Sequence, residues 1–514
     1  MDMKSRSSAL YELAGLLFIV LVSITVTAHV AQSGGRGEMM FLDGDSMIVP
    51  MFTQSLLHGT ATDWAMSTTF FIPEIGLYLL LSLLGMDLIQ LQFLAGVLNL
   101  VMLYVSLRLV ARWTVTGNRR SLVGAIAPFL AYCVLILWEG AGDRNSLELA
   151  SLLALTSYYS GTVFAAILTV GLAQKLFDSP LMRKRDLGLL VAIALVSTLS
   201  NPIYVAWVTL PLAIVVGIVT LGRSRIRRGG VVLGGLIVVT AVGYLARLPL
   251  GHWIAAAGDS YLKPTMANES LSYYSQLLGH RAATVGGINS IVFVAAIMIL
   301  GILLSVTEFR RATSRADVLA IYSWLTPLIT TFGFILLGSD AARYLQPWVF
   351  APVLSLIVLA GRIEAPRITQ KRWTVLIGAT VALVSSLVFA IASFPMASRS
   401  IRAAEDSLAC TVNWINKSGK VGAGQFWSIR AVKANLNDPS QLVQVDYRMN
   451  GYAWLVDRKD YEHSAASFLL TDSQTYPFEL PAQVRDREPT TVDCGRFQIA
   501  DYGTSRIPIG PTWP

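Results

Sequence analysis

Histidine and cysteine are scarce in this chain, five of one and three of the other among 514 residues. His29, His58, His252, His280 and His463 show no metal-ligand spacing. There is no Walker loop, no dinucleotide fingerprint and no nucleophile elbow, which removes the commonest signatures of nucleotide hydrolysis, nicotinamide redox chemistry and serine hydrolysis. Charge is also thin. Only 14% of residues are charged, against 54% hydrophobic, and the mean hydropathy of +0.57 excludes an ordinary soluble domain. Acidic residues are the scarcer sign, which leaves a net charge of +8. That excess does not point to nucleic acid, because it sits in short clusters between apolar runs: Arg112, Arg119 and Arg120; Arg183 to Arg185; Arg223, Arg225, Arg227 and Arg228; Arg310, Arg311 and Arg315; Arg362, Arg367, Lys371 and Arg372. Clusters at every second connection mark cytoplasmic loops by the positive-inside rule.

What the chain does have is long hydrophobic runs, and these predict a polytopic α-helical membrane protein, since only helices satisfy their own backbone within lipid. Spans are expected at 9–30, 88–111, 121–138, 160–177, 187–200, 203–221, 230–247, 288–307, 317–337, 345–361 and 373–394, about eleven crossings. The first run, Leu10 to Val30 after Lys4 and Arg6, is too long for a signal-peptide core and reads as an uncleaved span. Ile72 to Gly85 is apolar but short. Counting it as a span would put every arginine cluster outside, so it is expected to lie at the outer interface. The N-terminus is then cytoplasmic and the protein belongs to the plasma (inner) membrane.

Residues 1–397 form the transmembrane domain on this reading, with a first outer loop at 31–87. From residue 398 to 514 the composition turns mixed and polar. Leu442–Tyr447 and Phe497–Tyr502 alternate as strands do, and Ala403–Asn416 reads as a helix. An extracytoplasmic α+β domain follows, of a size that folds on its own. Cys133 lies in a span, whereas Cys410 and Cys494 bracket this tail. A disulfide between them suits an oxidising compartment and closes a loop worth about 4–5 kcal/mol in the chain-entropy model.

The chemistry is therefore sought among outer segments, and the first opens on Phe41-Leu-Asp-Gly-Asp-Ser46. From Asp45 the chain runs through Thr62-Asp-Trp64 and Phe71-Ile-Pro-Glu74 into the apolar segment ending at Gly85. A second distinctive stretch, Arg343-Tyr-Leu-Gln-Pro347, opens a late span. This layout resembles the GT-C superfamily of integral-membrane glycosyltransferases, in particular the protein O-mannosyltransferase and aminoarabinose transferase group. There an acidic motif, a juxtamembrane helix, an Asp/Asn-Trp turn and a second juxtamembrane helix precede the second span.

The resemblance implies transfer of a sugar from a polyprenyl-phosphate donor to an acceptor hydroxyl on a lipid, glycan or protein, with inversion. Asp45 matches the family's acidic position and would be the general base. The family's next acid is Ser46 here, so any second carboxylate role falls to Asp43. Arg343, with Tyr344 beside it in the motif, would neutralise the donor phosphate. Arg144, Arg247 and Lys263 are further substrate-binding candidates by position alone. No cofactor is implied, and a divalent metal on the carboxylate pair stays an open alternative. Read plainly, Asp43-Gly-Asp45 is a solvated acidic turn, Arg343 snorkels to the interface, Asp143 and Arg144 form a surface pair, and Trp253, Tyr261, Tyr273 and Tyr274 belong to an interfacial belt. The competing functions are a transporter or flippase of lipid-linked saccharides, which would carry mid-membrane charges and an internal repeat, and a non-catalytic envelope assembly protein.

Overall fold

Each expected span falls on helical structure in the computed structural model, which describes residues 3–140, 142–179, 182–223, 226–255, 263–310, 317–363, 372–485 and 487–513. Asp259 and Tyr261, together with Arg225, Arg311, Arg315, Arg367 and Lys371, lie outside the described residues. Among those described, nine helices are long and apolar enough to cross a bilayer, while Val205–Thr220 is apolar but shorter and Lys184–Ser200 has 17 residues. The chain is a multi-pass helical membrane protein. Ile72–Ser82 is a helix of 11 residues, about 16 Å long and well short of a bilayer. Met3–Gln32, Leu88–Thr114 and Ser160–Asp178 reproduce the expected spans closely.

The fold divides into two compact units. The first comprises Met1–Gly37, Leu94–Ala246 and Tyr261–Ala397. Its most enclosed span is Ser160–Asp178, whose Gly161, Ala165, Ala166, Gly171 and Ala173 keep it narrow. A Cβ on Gly171 would meet the Val110 side chain, so this glycine sets the approach of two helices. Several polar groups inside the bundle are paired. Gln174 accepts from the backbone N–H of Val318 at 2.8 Å. The Tyr322 hydroxyl donates at 2.5 Å to the carbonyl of Trp207, within the π-helical turn Val205–Thr209. Arg108 is paired with Glu12 and also donates to Ser121.

Two departures from the sequence reading stand out in this part. The segment expected as a long outer loop before residue 288 contains the helix Ala267–Ala282. The last span and the tail helix expected at 403–416 are one 47-residue helix, Arg372–Ser418, that continues past Pro395. Proline removes one hydrogen bond, but it does not end a helix whose flanking turns are intact.

The second unit gathers Glu38–Phe93, Arg247–Ser260 and Ser398–Pro514. Its centre is a five-stranded mixed sheet in the order Leu442–Gln444, Gly422–Gly424, Phe468–Thr471, Phe497–Asp501, Thr490–Cys494. The first three strands are parallel and the remainder antiparallel. The helix Phe426–Ala434 connects the strands Gly422–Gly424 and Leu442–Gln444, as a parallel pair requires. Cys410 and Cys494 are disulfide-bonded, with a Cα–Cα separation of 5.5 Å. The first loop is woven into the same unit: Trp64–Ala65 pairs antiparallel with Val456–Asp457, and Met66 bridges Ile254.

Candidate active site

The acidic motif lies between the helices Gly34–Phe41 and Ile48–Leu57, where a single turn of 3-10 helix, Asp45–Met47, redirects the chain. Asp43 is buried, and its carboxylate accepts the backbone N–H of Asp45 at 3.0 Å, an Asx-turn. Asp45 is half-buried. Ser46 is fully buried and its hydroxyl donates to the carbonyl of Met39 at 2.5 Å. A carboxylate at 46 would point its charge at that carbonyl, so position 46 has a structural task.

Helix Phe426–Ala434 packs on this turn. A Cβ on Gly44 would come within 2.9 Å of the Phe426 ring and 3.2 Å of its carbonyl. Gly44 has an ordinary right-handed conformation, φ −59°, so close approach, not backbone freedom, calls for glycine there. The fully buried Arg430 donates from Nε to the carbonyl of Gly44 at 2.7 Å, and from Nη1 to the Leu455 carbonyl and, at 3.4 Å, to Gln444. Its guanidinium lies 4.9 Å from the centre of the Phe426 ring. Burial pushes the Arg430 guanidinium down to about 10, against the opposing fields of Asp45 and then Asp43. Tyr452 is pushed up by burial and further by the charge of Asp45. Its ring centre is 5.0 Å from that of Trp513.

A second knot in the same unit joins Asp63 to His252 at 2.9 Å and to Arg458 at 3.0 Å. Desolvation raises the Asp63 carboxyl, but the hydrogen bonds from Arg458 and His252 outweigh it and hold the group below its ordinary value. Arg247, a substrate-binding candidate, is buried here, donating to the carbonyl of Thr68 with its guanidinium 4.8 Å from the Phe70 ring centre.

The remaining candidates belong to the first unit. Arg343 lies on the 3-10 segment Ala342–Leu345 and is half-buried, donating from Nε to the Tyr159 hydroxyl at 3.2 Å. Tyr344 follows it, with its ring 5.0 Å from Phe334 and its carbonyl accepting from Trp207 Nε1 at 2.9 Å. Arg144 follows Asp143, whose carboxylate accepts the N–H of Asn145 at 2.8 Å. Lys263 is tied through its backbone N–H to the carbonyl of Leu337 at 2.9 Å.

Sequence reasoning missed a buried ionic cluster in this unit. Glu148 accepts from Arg281 at 3.0 Å and from the N–H groups of Gly140 and Gly142 at 2.8 and 2.9 Å. Glu139 accepts from the N–H groups of Ala150 and Ser151, and Arg36 donates to Ser146 and to the Glu148 carbonyl. Burial raises the Glu139 carboxyl, against the pull of Arg36. Glu139 and Arg281 also face an otherwise largely apolar cavity of about 600 Å³, lined by Leu278, Val294, Met298 and Trp348 among others. Among the described residues no three His, Cys, Asp or Glu side chains gather as a metal site.

Comparisons with known proteins bear on this geometry. No protein-family profile and no curated relative matches the sequence. The fold does match a solved structure, ArnT from Cupriavidus metallidurans bound to undecaprenyl phosphate, with a TM-score of 0.53 at 12% identity. The likeness covers 95% of this chain and 98% of the other. The chain therefore shares the fold of that structure over nearly its whole length.

Proposed function

We propose that this protein is an integral-membrane glycosyltransferase that moves a sugar from a polyprenyl-phosphate donor to an acceptor hydroxyl on the extracytoplasmic face. The observation that carries the reading is the end-to-end likeness to a protein crystallised with undecaprenyl phosphate. Asp45 is the general base. It takes the acceptor's proton as the acceptor oxygen bonds to the anomeric carbon, the bond from that carbon to the phosphate oxygen breaks, and polyprenyl phosphate leaves with inversion at the sugar. Asp45 is preferred to Asp43 because it is half-buried, whereas Asp43 is buried. Arg343, with Tyr344 beside it, neutralises the charge developing on the leaving phosphate. Arg144 and Lys263 are auxiliary contacts for the donor head group, and Arg247 acts indirectly, by holding Thr68 and Phe70 in place. The apolar cavity is of a volume suited to an isoprenoid chain.

The topology supports the same reading. With the arginine clusters in the cytoplasm, the first loop and the disulfide-bonded tail face an oxidising compartment. The test is incubation of purified protein with a panel of polyprenyl-phosphate sugars, following release of polyprenyl phosphate. Asp45→Asn is expected to lower transfer by about 10²–10⁴-fold with normal expression. Full activity in that variant removes Asp45 as base. A donor that stays chemically intact while crossing the bilayer replaces the enzyme with a transporter.

A further inference from the structure

We infer that Arg430 is the positioning residue of the acidic turn, so that the tail domain builds the site instead of merely following it. The inference rests on Asp45 acting as the base. Arg430 reaches the turn through Gly44, the residue between the two aspartates, and its planar fork is fixed a second time at the Leu455 carbonyl. The turn is thus tied to residues nearly 400 positions away in sequence. Gly44 completes the fit, since any side chain there would strike Phe426 or Arg430 Cδ.

The charge has its own task. Arg430 is 0% exposed, and its hydrogen bonds go to neutral oxygens: two carbonyls and the Gln444 amide. Its positive field is left to act on Asp45 and Asp43, and a cation buried this deeply is costly unless carboxylates answer it. A second fully buried base, one helical turn further on, is matched directly by a carboxylate. Lys433, on the same helix, pairs with Asp460 at 2.8 Å. Arg430 instead holds the backbone of the turn through the Gly44 carbonyl.

The experiment uses the full chain in detergent or nanodiscs, a polyprenyl-phosphate sugar that supports transfer, and the variants Arg430→Lys, Arg430→Met and Gly44→Ala. Each is made in the wild-type and the Asp45→Asn backgrounds. A positioning role predicts a kcat loss on the order of 10²-fold with donor KM little changed. It also predicts that the residual rate of Asp45→Asn falls no further when Arg430 is changed. Arg430→Lys, which keeps the charge but not the fork, should recover part of the loss. Should Arg430→Met fail to fold, Gly44→Ala carries the test, since it keeps the guanidinium and displaces the turn. Wild-type kcat in folded Arg430→Lys and Gly44→Ala overturns the inference, as do equal losses in both backgrounds or failure of all three variants to fold. Transfer retained by Asp45→Asn alone is a different result, which removes the base assignment first.

Discussion

Two buried arginine assemblies, one in each unit, show how differently the helical bundle and the unit built on the β-rich tail use a costly charge. In the first unit, Arg36 and Arg281 meet Glu139 and Glu148, and both carboxylates also accept backbone N–H groups of the loop that follows Leu137. Each carboxylate of the cluster is thus met by an arginine and by backbone donors. In the second unit, Arg430 spends its hydrogen bonds on neutral acceptors and leaves its field for the half-buried Asp45. A closed cluster is what a structural lock requires. A cation facing a carboxylate that keeps access to solvent, as Asp45 does, is what a working site requires.

The sharpest way to break this contrast is Glu148→Ala. It leaves Arg281 and Arg36 buried against fewer acceptors and frees the N–H groups of Gly140 and Gly142, which should cost about 3–5 kcal/mol. Thermal unfolding in detergent reads the loss, and Glu148→Gln, which keeps an acceptor oxygen, should lose less. Wild-type stability in Glu148→Ala would show that the cluster is not a lock, and the comparison with Arg430 would lose its basis.

Much of the first unit was legible because a bilayer imposes one signal, apolar length, and the arginine clusters supply its phase. Ser160–Asp178 and Leu88–Thr114 were readable almost to the residue for that reason. Ala267–Ala282 escaped because only a few of its residues, Ser270, Tyr274, Leu277 and Arg281, are buried, and their pattern is not strongly apolar. Its signal was electrostatic instead: Glu269 in the first turn, His280 and Arg281 in the last. At the candidate site, the acidic turn was singled out by its position and the family resemblance. Arg430 could not, because its partners are the carbonyls of Gly44 and Leu455, and a carbonyl leaves no mark on sequence. Gly44 was visible yet misleading, since it reads as a turn former while its task is to make room for Phe426.

Smaller effects separate the tail's internal stability from its role at the turn. The disulfide links residues 84 apart in sequence, and replacing Cys410 and Cys494 by serine should cost up to about 4–5 kcal/mol in unfolding. Because neither cysteine contacts the acidic turn in the manner of Arg430, transfer per folded molecule should hold near the wild-type value at temperatures where the variant stays folded. A kcat loss matching that of Arg430→Lys, in fully folded protein, would mean that any loosening of the tail disturbs the turn and that Arg430 has no special place.

The smallest effect is also the one with a defined pH window, and it concerns Asp63. Arg458 and His252 hold this carboxyl below its ordinary value near 3.8. Between the folded and unfolded pKa values the unfolded chain therefore binds more protons than the folded one. Stability from Asp63 is fully present above about pH 4 and drains away as the pH falls through the lower, folded value. The Asp63 side chain is 36% exposed and that of His252 is 71% exposed, so solvent screening keeps the contribution under about 1 kcal/mol. Asp63→Asn should lower stability by up to that amount at neutral pH and change it little below the folded pKa, which flattens the acid side of the curve. The variant's transfer rate decides what the knot is for. An undiminished rate confines Asp63 to tying the first loop to Arg458, whereas a fall comparable to that of Gly44→Ala would extend the positioning framework from Arg430 to the strand pair Trp64–Ala65 and Val456–Asp457.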